Sequence, residues 1–236
     1  PFARAFEGGF GQGTRTTATL VLTGDTLAER YAPGFNARTP QRTWSVAKSI
    51  AATLVGAAVL AGETSVDEPV GLNYWRSGGG SDPRNAITLD HALRMATGRY
   101  SDTPGNRTDP LYFGGSSVDE TATGWPVLHK PGTVFRYANN DTLLLMRSLR
   151  HLLADDLRYL RFPYDELLHP LGMYHTRMEV DHAGNFIASS QVYTTARDLA
   201  RFGIFLDQDG VHQGKRLLPE GWISFVSTPA PARPVV

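Results

Sequence analysis

Cysteine is absent from the 236 residues, which removes disulfides, thiolate catalysis and cysteine-ligated zinc together. The redox compartment stays open, because oxidising and reducing surroundings both tolerate that absence. Net charge is lacking as well. The 23 basic side chains balance 23 acidic ones, so no overall field draws in nucleic acid or anionic lipid, and a small or neutral substrate is expected. Long apolar runs are missing: the longest, residues 50–61, contains Thr53 and Gly56, is too short to span a bilayer, and reads as a buried helix. The seven histidines form neither His-x-His nor His-x-x-x-His, so neither a metal site nor a cofactor is expected. There is no Gly-x-Ser-x-Gly elbow and no Walker loop, and Gly8 to Gly13 lacks both the Rossmann spacing and a preceding strand. The chain opens at Pro1 without a charged segment followed by an apolar one, so a signal peptide is expected to have been removed or never to have existed.

What remains is the composition of an ordinary soluble globular protein, 41% hydrophobic and long enough for one large domain or two small ones. Thr17 to Leu22 and Thr26 to Tyr31 flank the turn residues Thr23-Gly24-Asp25 and read as a hairpin. Ser45 to Ala61 reads as a helix stopped by Gly62. Ser77 to Arg84 reads as a flexible loop, and Thr88 caps a short helix running to Ala96. Tyr100 to Gly124 has little periodicity, the mark of a lid or binding loop. Asp141 to Leu153, Tyr164 to His169 and Thr195 to Leu206 read as helices, and Pro229 to Pro234 is a Pro-Ala-rich end.

Two pairs of residues carry chemistry. Ser45-Val46-Ala47-Lys48 puts a hydroxyl and an amine three positions apart at the start of a helix, on one face and within one turn. A serine is a poor nucleophile until a neighbour accepts its proton, and lysine can do so only where burial or positive potential lowers its pKa. The helix amino terminus would also aim N–H groups, Ser45's own among them, at an oxyanion on the attacked carbonyl. With three lysines and 13 serines, chance supplies about 0.17 such matches. The bland alternative, a capping Ser45 and a surface Lys48, fits poorly with the apolar helix that follows. Tyr137-Ala138-Asn139, after the turn Lys130-Pro131-Gly132-Thr133, places a phenol and an amide on an irregular segment where both can face one cleft. The competing readings are a half-buried aromatic bonded to backbone and a helix cap.

On these motifs the chain resembles the serine β-lactamase and penicillin-binding-protein superfamily, in its class C-like esterase branch. Ile87 to Gly98, with its Thr-Gly ending, Pro131-Gly132-Thr133, Pro170-Leu171-Gly172-Met173 and Thr195 to Gly203 are similar to further family segments, so the resemblance runs from about Thr17 to Trp222. Ser-Val-Ala-Lys-Ser with its Ala/Leu/Val helix is most similar to hydrolases of aminohexanoate (nylon) oligomers and related carboxylesterases. The resemblance implies an α/β (α+β type) fold, in which an antiparallel sheet is flanked by helices and a mostly helical domain is inserted. Residues 1–62 and 182–236 would form the α/β part, residues 63–181 the helical one, with the cleft between. It further implies acylation of Ser45, proton transfer through Lys48 and Tyr137, hydrolysis of the acyl-enzyme, and Asn139 lining the cleft. Tyr100, Tyr112, Phe113 and Trp125 fall where substrate-contacting residues would lie, Tyr112 foremost, although each could equally be a packing anchor.

One departure matters. The third family element, a Lys-Thr-Gly or His-x-Gly strand supplying the other oxyanion N–H, should follow Trp222 and does not. Lys130-Pro131-Gly132 precedes the Tyr motif, and its proline suits a turn rather than a central strand. The closing strands are therefore expected elsewhere, cleaved off or supplied by a second polypeptide. The expected activity is hydrolysis of a small or linear ester or amide. A class C-like β-lactamase, a D-Ala-D-Ala carboxypeptidase, or a receptor that acylates without turnover remain open. A soluble periplasmic or cytoplasmic location of bacterial type is expected, with no membrane span. The glycosylation patterns at Asn106 and Asn140 are read as accidental.

Overall fold

The structure, a computed structural model, describes residues 2–7, 15–23, 26–78, 82–100 and 108–234. After a short helix α1 (Phe2–Phe6), strands β1 (Ala18–Thr23) and β2 (Thr26–Tyr31) pair antiparallel in the predicted hairpin, with Ala18 opposite Tyr31 and Thr23 opposite Thr26. Strand β3 (Gln41–Arg42) leads through a 3-10 turn, Trp44–Val46, into α2 (Ala47–Leu60). Ile50, Ala51, Leu54 and Ala58 of α2 are fully buried. A helix apolar on nearly every side must lie inside the molecule, and each large side chain so buried contributes about 2 kcal/mol. Gly56 lets the neighbouring chain close in, since a Cβ there would stand 2.6 Å from the Trp222 indole.

Helix α3 (Leu89–Leu93) starts at Thr88, whose hydroxyl accepts from His91 N while His91 Nδ1 accepts from Thr88 N, a reciprocal cap. It is shorter than the sequence suggests, because Met95 turns left-handed at φ 52°. The long segment after Gly98 contains α4 (Asp109–Tyr112) and a π-helical turn, Asp119–Thr123. Residues 101–107, including the Asn106 sequon, lie outside the described residues.

Strand β4 (Val134–Phe135) precedes α5 (Asn139–Leu153), which packs on α2 and α3. Asn140 is buried at 3% exposure and so is no glycosylation site. Helix α6 (Asp156–Pro163), absent from the sequence reading, is capped by the Asp155 carboxylate accepting from Arg158 N, and residues 164–168 follow as a π-helical turn where an α-helix was expected. Then come β5 (Arg177–Met178), β6 (Val192–Thr194), α7 (Ala196–Asp207), β7 (Val211–His212), β8 (Lys215–Arg216), α8 (Trp222–Ser227) and β9 (Arg233–Pro234).

The class is the expected mixture of helices and antiparallel strands, but the described strands fall into four small sheets: β1-β2, β3-β6-β5, β4-β9 and β7-β8. Only β4-β9 is parallel, so part of the Pro-Ala-rich end is a short strand. No helix among the described residues is long and apolar enough to cross a membrane.

Candidate active site

Strand β3 is tied to β6 at its end: Thr43 donates to the Val192 carbonyl from its backbone N–H at 2.8 Å and from its hydroxyl at 2.9 Å. Trp44 then adopts φ 49°, a left-handed conformation that costs a bulky residue about 1 kcal/mol or more. This bend reverses the chain into the 3-10 turn and leaves Ser45 exposed immediately ahead of α2. The capping alternative for Ser45 fails, because Val46 is the cap residue of α2 and no side chain closes that end.

One turn on, Lys48 is 9% exposed. Its Nζ lies 3.1 Å from Ser45 Oγ, 2.6 Å from Asn139 Oδ1 and 2.7 Å from the Ser189 carbonyl oxygen. Burial pulls its pKa down from 10.5 to about 8, since a low-dielectric surrounding disfavours the charged amine. Three neighbours suit a neutral amine well: two acceptors take its two N–H groups, and its lone pair is left for the Ser45 hydroxyl.

The second motif meets the first here. The Tyr137 ring centroid is 5.1 Å from Lys48 Nζ, and Ala138, in extended conformation, is the cap residue of α5, whose first residue is Asn139. Asn139 is therefore inside the helix rather than capping it. Its Oδ1 accepts from Lys48 while its Nδ2 donates to Thr108 Oγ1 at 3.0 Å. Beneath it, the Arg99 guanidinium donates to Asp141 Oδ1 at 2.9 Å, to the Asn140 carbonyl at 2.9 Å and to the Ala122 carbonyl. Thr97 adds a 2.8 Å bond to the same carboxylate oxygen. Burial pushes the Asp141 carboxyl pKa up, against the pull of Arg99.

The turn before the motif is held by two glycines. A Cβ on Gly98, at φ 71°, would stand 2.1 Å from the His129 carbonyl oxygen, and one on Gly132, at φ 80°, would stand 2.8 Å from His91 Nε2. Both positions need glycine for space as well as for backbone conformation.

Of the four aromatic candidates, Tyr112 reaches this network. Its hydroxyl lies 2.6 Å from Ser189 Oγ, and its carbonyl accepts from Gln191 Nε2 at 3.1 Å. Leu111, buried with Val118, Ala122, Leu143 and Ile187, anchors α4 below it. Tyr100 instead stacks on Trp125 with centroids 5.8 Å apart, and Phe113 is 75% exposed. Ser189, Thr108 and Gln191 escaped the sequence reading. The buried run Ser189-Ser190-Gln191 carries no spacing signal, and only its position ahead of the strand-like Val192-Tyr193-Thr194 hints at a structural role. A cavity of about 470 Å³ opens beside Lys48 and Tyr137, with Met95, Phe135, Trp222 and Phe225 among its walls.

Comparison with known proteins bears on the family and the fold. The 6-aminohexanoate-dimer hydrolase of Paenarthrobacter ureafaciens is 28% identical over 240 residues, an overlap of 90% of this chain and 57% of that protein. The chain thus spans little more than half the length of that curated relative. The solved structure of a D-stereospecific amidohydrolase from Streptomyces sp. superposes with a TM-score of 0.70 at 18% identity, covering 94% of this chain and 74% of the other. A β-lactamase/D-alanine carboxypeptidase from Yersinia pestis does so at 0.64 and 18%, covering 85% and 66%. These likenesses show a shared fold. The β-lactamase family model matches residues 2–234, and the chain belongs to the β-lactamase family.

Proposed function

We propose that the protein is a serine hydrolase that cleaves an ester or amide through an acyl-enzyme on Ser45. The observation that carries this reading is the Lys48 amine, 3.1 Å from Ser45 Oγ and brought by burial to a pKa of about 8. At pH 7 about one molecule in ten then holds Lys48 neutral, enough to act as general base. The Ser45 proton passes to Lys48 Nζ as Oγ bonds to the substrate carbonyl carbon, and the Ser45 N–H donates to the oxyanion that forms. Collapse of that intermediate breaks the bond to the leaving alcohol or amine, which takes the proton back from Lys48, directly or through the Tyr137 hydroxyl. Water then hydrolyses the acyl-Ser45 ester by the same proton path in reverse. Asn139 and Ser189 hold Lys48 in place, and Tyr112 lines the substrate side. The name of the Paenarthrobacter relative supports a linear amide as substrate, and the fold likeness to a β-lactamase/carboxypeptidase keeps cyclic amides and peptides as the second class to assay.

The test is turnover of p-nitrophenyl acetate, a linear amide and penicillin, with intact mass followed in parallel. Multiple turnovers lost in Ser45→Ala support the hydrolase. A penicillin or ester adduct that persists without turnover means a receptor instead, and full turnover by Ser45→Ala removes the mechanism.

A further inference from the structure

Thr108 stands at the cap position of α4, where a threonine hydroxyl ordinarily accepts from a backbone N–H of the first turn. It makes no such bond. Its Oγ1, in a residue only 1% exposed, is turned across 31 positions of sequence to accept from Asn139 Nδ2 at 3.0 Å. The backbone of α4 is held without it: Tyr112 N donates to the Thr108 carbonyl at 2.9 Å, and Leu111 is buried with Val118, Leu143 and Ile187. The hydroxyl therefore serves the site rather than its own helix.

Asn139 presents an oxygen and a nitrogen on one flat amide, and the Lys48 ammonium needs the oxygen. The backbone does not select that end. Arg99 fixes the first turn of α5 through the Asn140 carbonyl and Asp141, but the amide can still turn about its last bond. By accepting from Nδ2, Thr108 leaves Oδ1 facing Lys48 Nζ at 2.6 Å, and a buried Nδ2 without that acceptor would be costly. The other acceptor of the amine is held from the far end of the same short helix. The Tyr112 hydroxyl lies 2.6 Å from Ser189 Oγ, and the Ser189 carbonyl oxygen lies 2.7 Å from Nζ. The remaining neighbours of Nζ are Ser45 Oγ and the Tyr137 ring, and no carboxylate pairs with it among the described residues.

We propose that Thr108 is a positioning residue: it turns the Asn139 amide so that Oδ1 faces Lys48, and thereby holds the base amine against Ser45. This rests on the hydrolase reading above and deepens it.

The experiment removes the oxygen while keeping the side-chain shape, in Thr108→Val. The chain has three lysines, so isotopic labelling of lysine Cε gives three NMR resonances, and Lys48→Met identifies that of Lys48. Its titration midpoint, expected at about 8 in the wild type, falls by about half a unit or more in Thr108→Val, because an acceptor that drifts from the ammonium no longer favours the charged form. Thr108→Ser restores it. The ascending limb of kcat/KM moves down with the midpoint, and kcat above the limb falls by about tenfold or more as the amine loses its place beside Ser45. A merely destabilised fold lowers the profile without moving the limb. Thr108→Ala makes the same test should the valine variant fail to fold. In an Asn139→Ala background, Thr108→Val shifts Lys48 no further. An unmoved Lys48 midpoint in Thr108→Val and Thr108→Ala, or an equal shift in the Asn139→Ala background, overturns the proposal. The resonance is read without turnover, so a protein that hydrolyses no ester yet shows the shift keeps the role of Thr108 and counts against the hydrolase reading alone.

Discussion

Replacing Lys48 with methionine is expected to stabilise the protein at pH 6 and to lose that advantage as pH rises. Burial lowers the Lys48 pKa from 10.5 to about 8, and at about 1.4 kcal/mol for each pKa unit the folded ammonium carries a penalty of about 2–3 kcal/mol once the open side of the site is allowed for. Methionine fills nearly the same volume without charge, but it leaves Asn139 Oδ1 and the Ser189 carbonyl without their donor, a loss of about 1 kcal/mol or somewhat more. The net gain at pH 6 is then about 1 kcal/mol. The pH dependence follows from linkage. Below pH 8 both folded and unfolded wild-type chains hold the proton, and the penalty is constant. Between pH 8 and 10.5 the folded state releases its proton while the unfolded state keeps it, so wild-type stability climbs relative to the variant. Urea denaturation followed by circular dichroism at pH 6, 8 and 10 reads this directly: Lys48→Met is more stable at pH 6 and less stable at pH 10. A difference that does not change with pH would refute the claim that Lys48 is a desolvated base.

Asn139→Asp sets a carboxylate where the amide oxygen now lies 2.6 Å from Lys48 Nζ, which raises the lysine pKa by about 1–3 units. The ascending limb of kcat/KM against pH, expected near 8 in the wild type, moves up accordingly, and an unmoved limb contradicts the base assignment. Arg99→Met strands the buried Asp141 carboxylate and costs about 3–5 kcal/mol; a loss below about 1 kcal/mol by urea denaturation contradicts the role given to that pair. Gly98→Ala drives a Cβ into the His129 carbonyl at a positive φ, at a cost of about 3 kcal/mol or more, visible as a lowered Tm, and an unchanged Tm contradicts the close approach.

The parts of the fold legible in the sequence were those with strong local causes. The apolar run after Lys48 announced α2, the turn residues between two β-rich runs announced the hairpin, and Thr88 and Thr195 marked helix starts that the structure confirms with side-chain caps. Helix α6 was overlooked because its charged Asp155-to-Arg161 stretch shows polarity before periodicity, although Tyr159 and Phe162 are buried beneath it. At the site, Ser45, Lys48, Tyr137 and Asn139 were visible as two short motifs, and the structure joins them through Lys48. Ser189 was invisible, because what it gives Lys48 is a backbone carbonyl, available from any residue type and placed by contacts across 141 positions.

The central claim is that Ser45 becomes covalently acylated with Lys48 taking its proton. Rapid acid quench of the protein with a p-nitrophenyl ester, followed by peptide mapping by mass, measures this most directly. The expected result is one acyl group on the peptide containing Ser45, formed faster as pH rises through about 8 and absent from Ser45→Ala. An acyl group on another residue, or equal labelling of Ser45→Ala, would contradict the account.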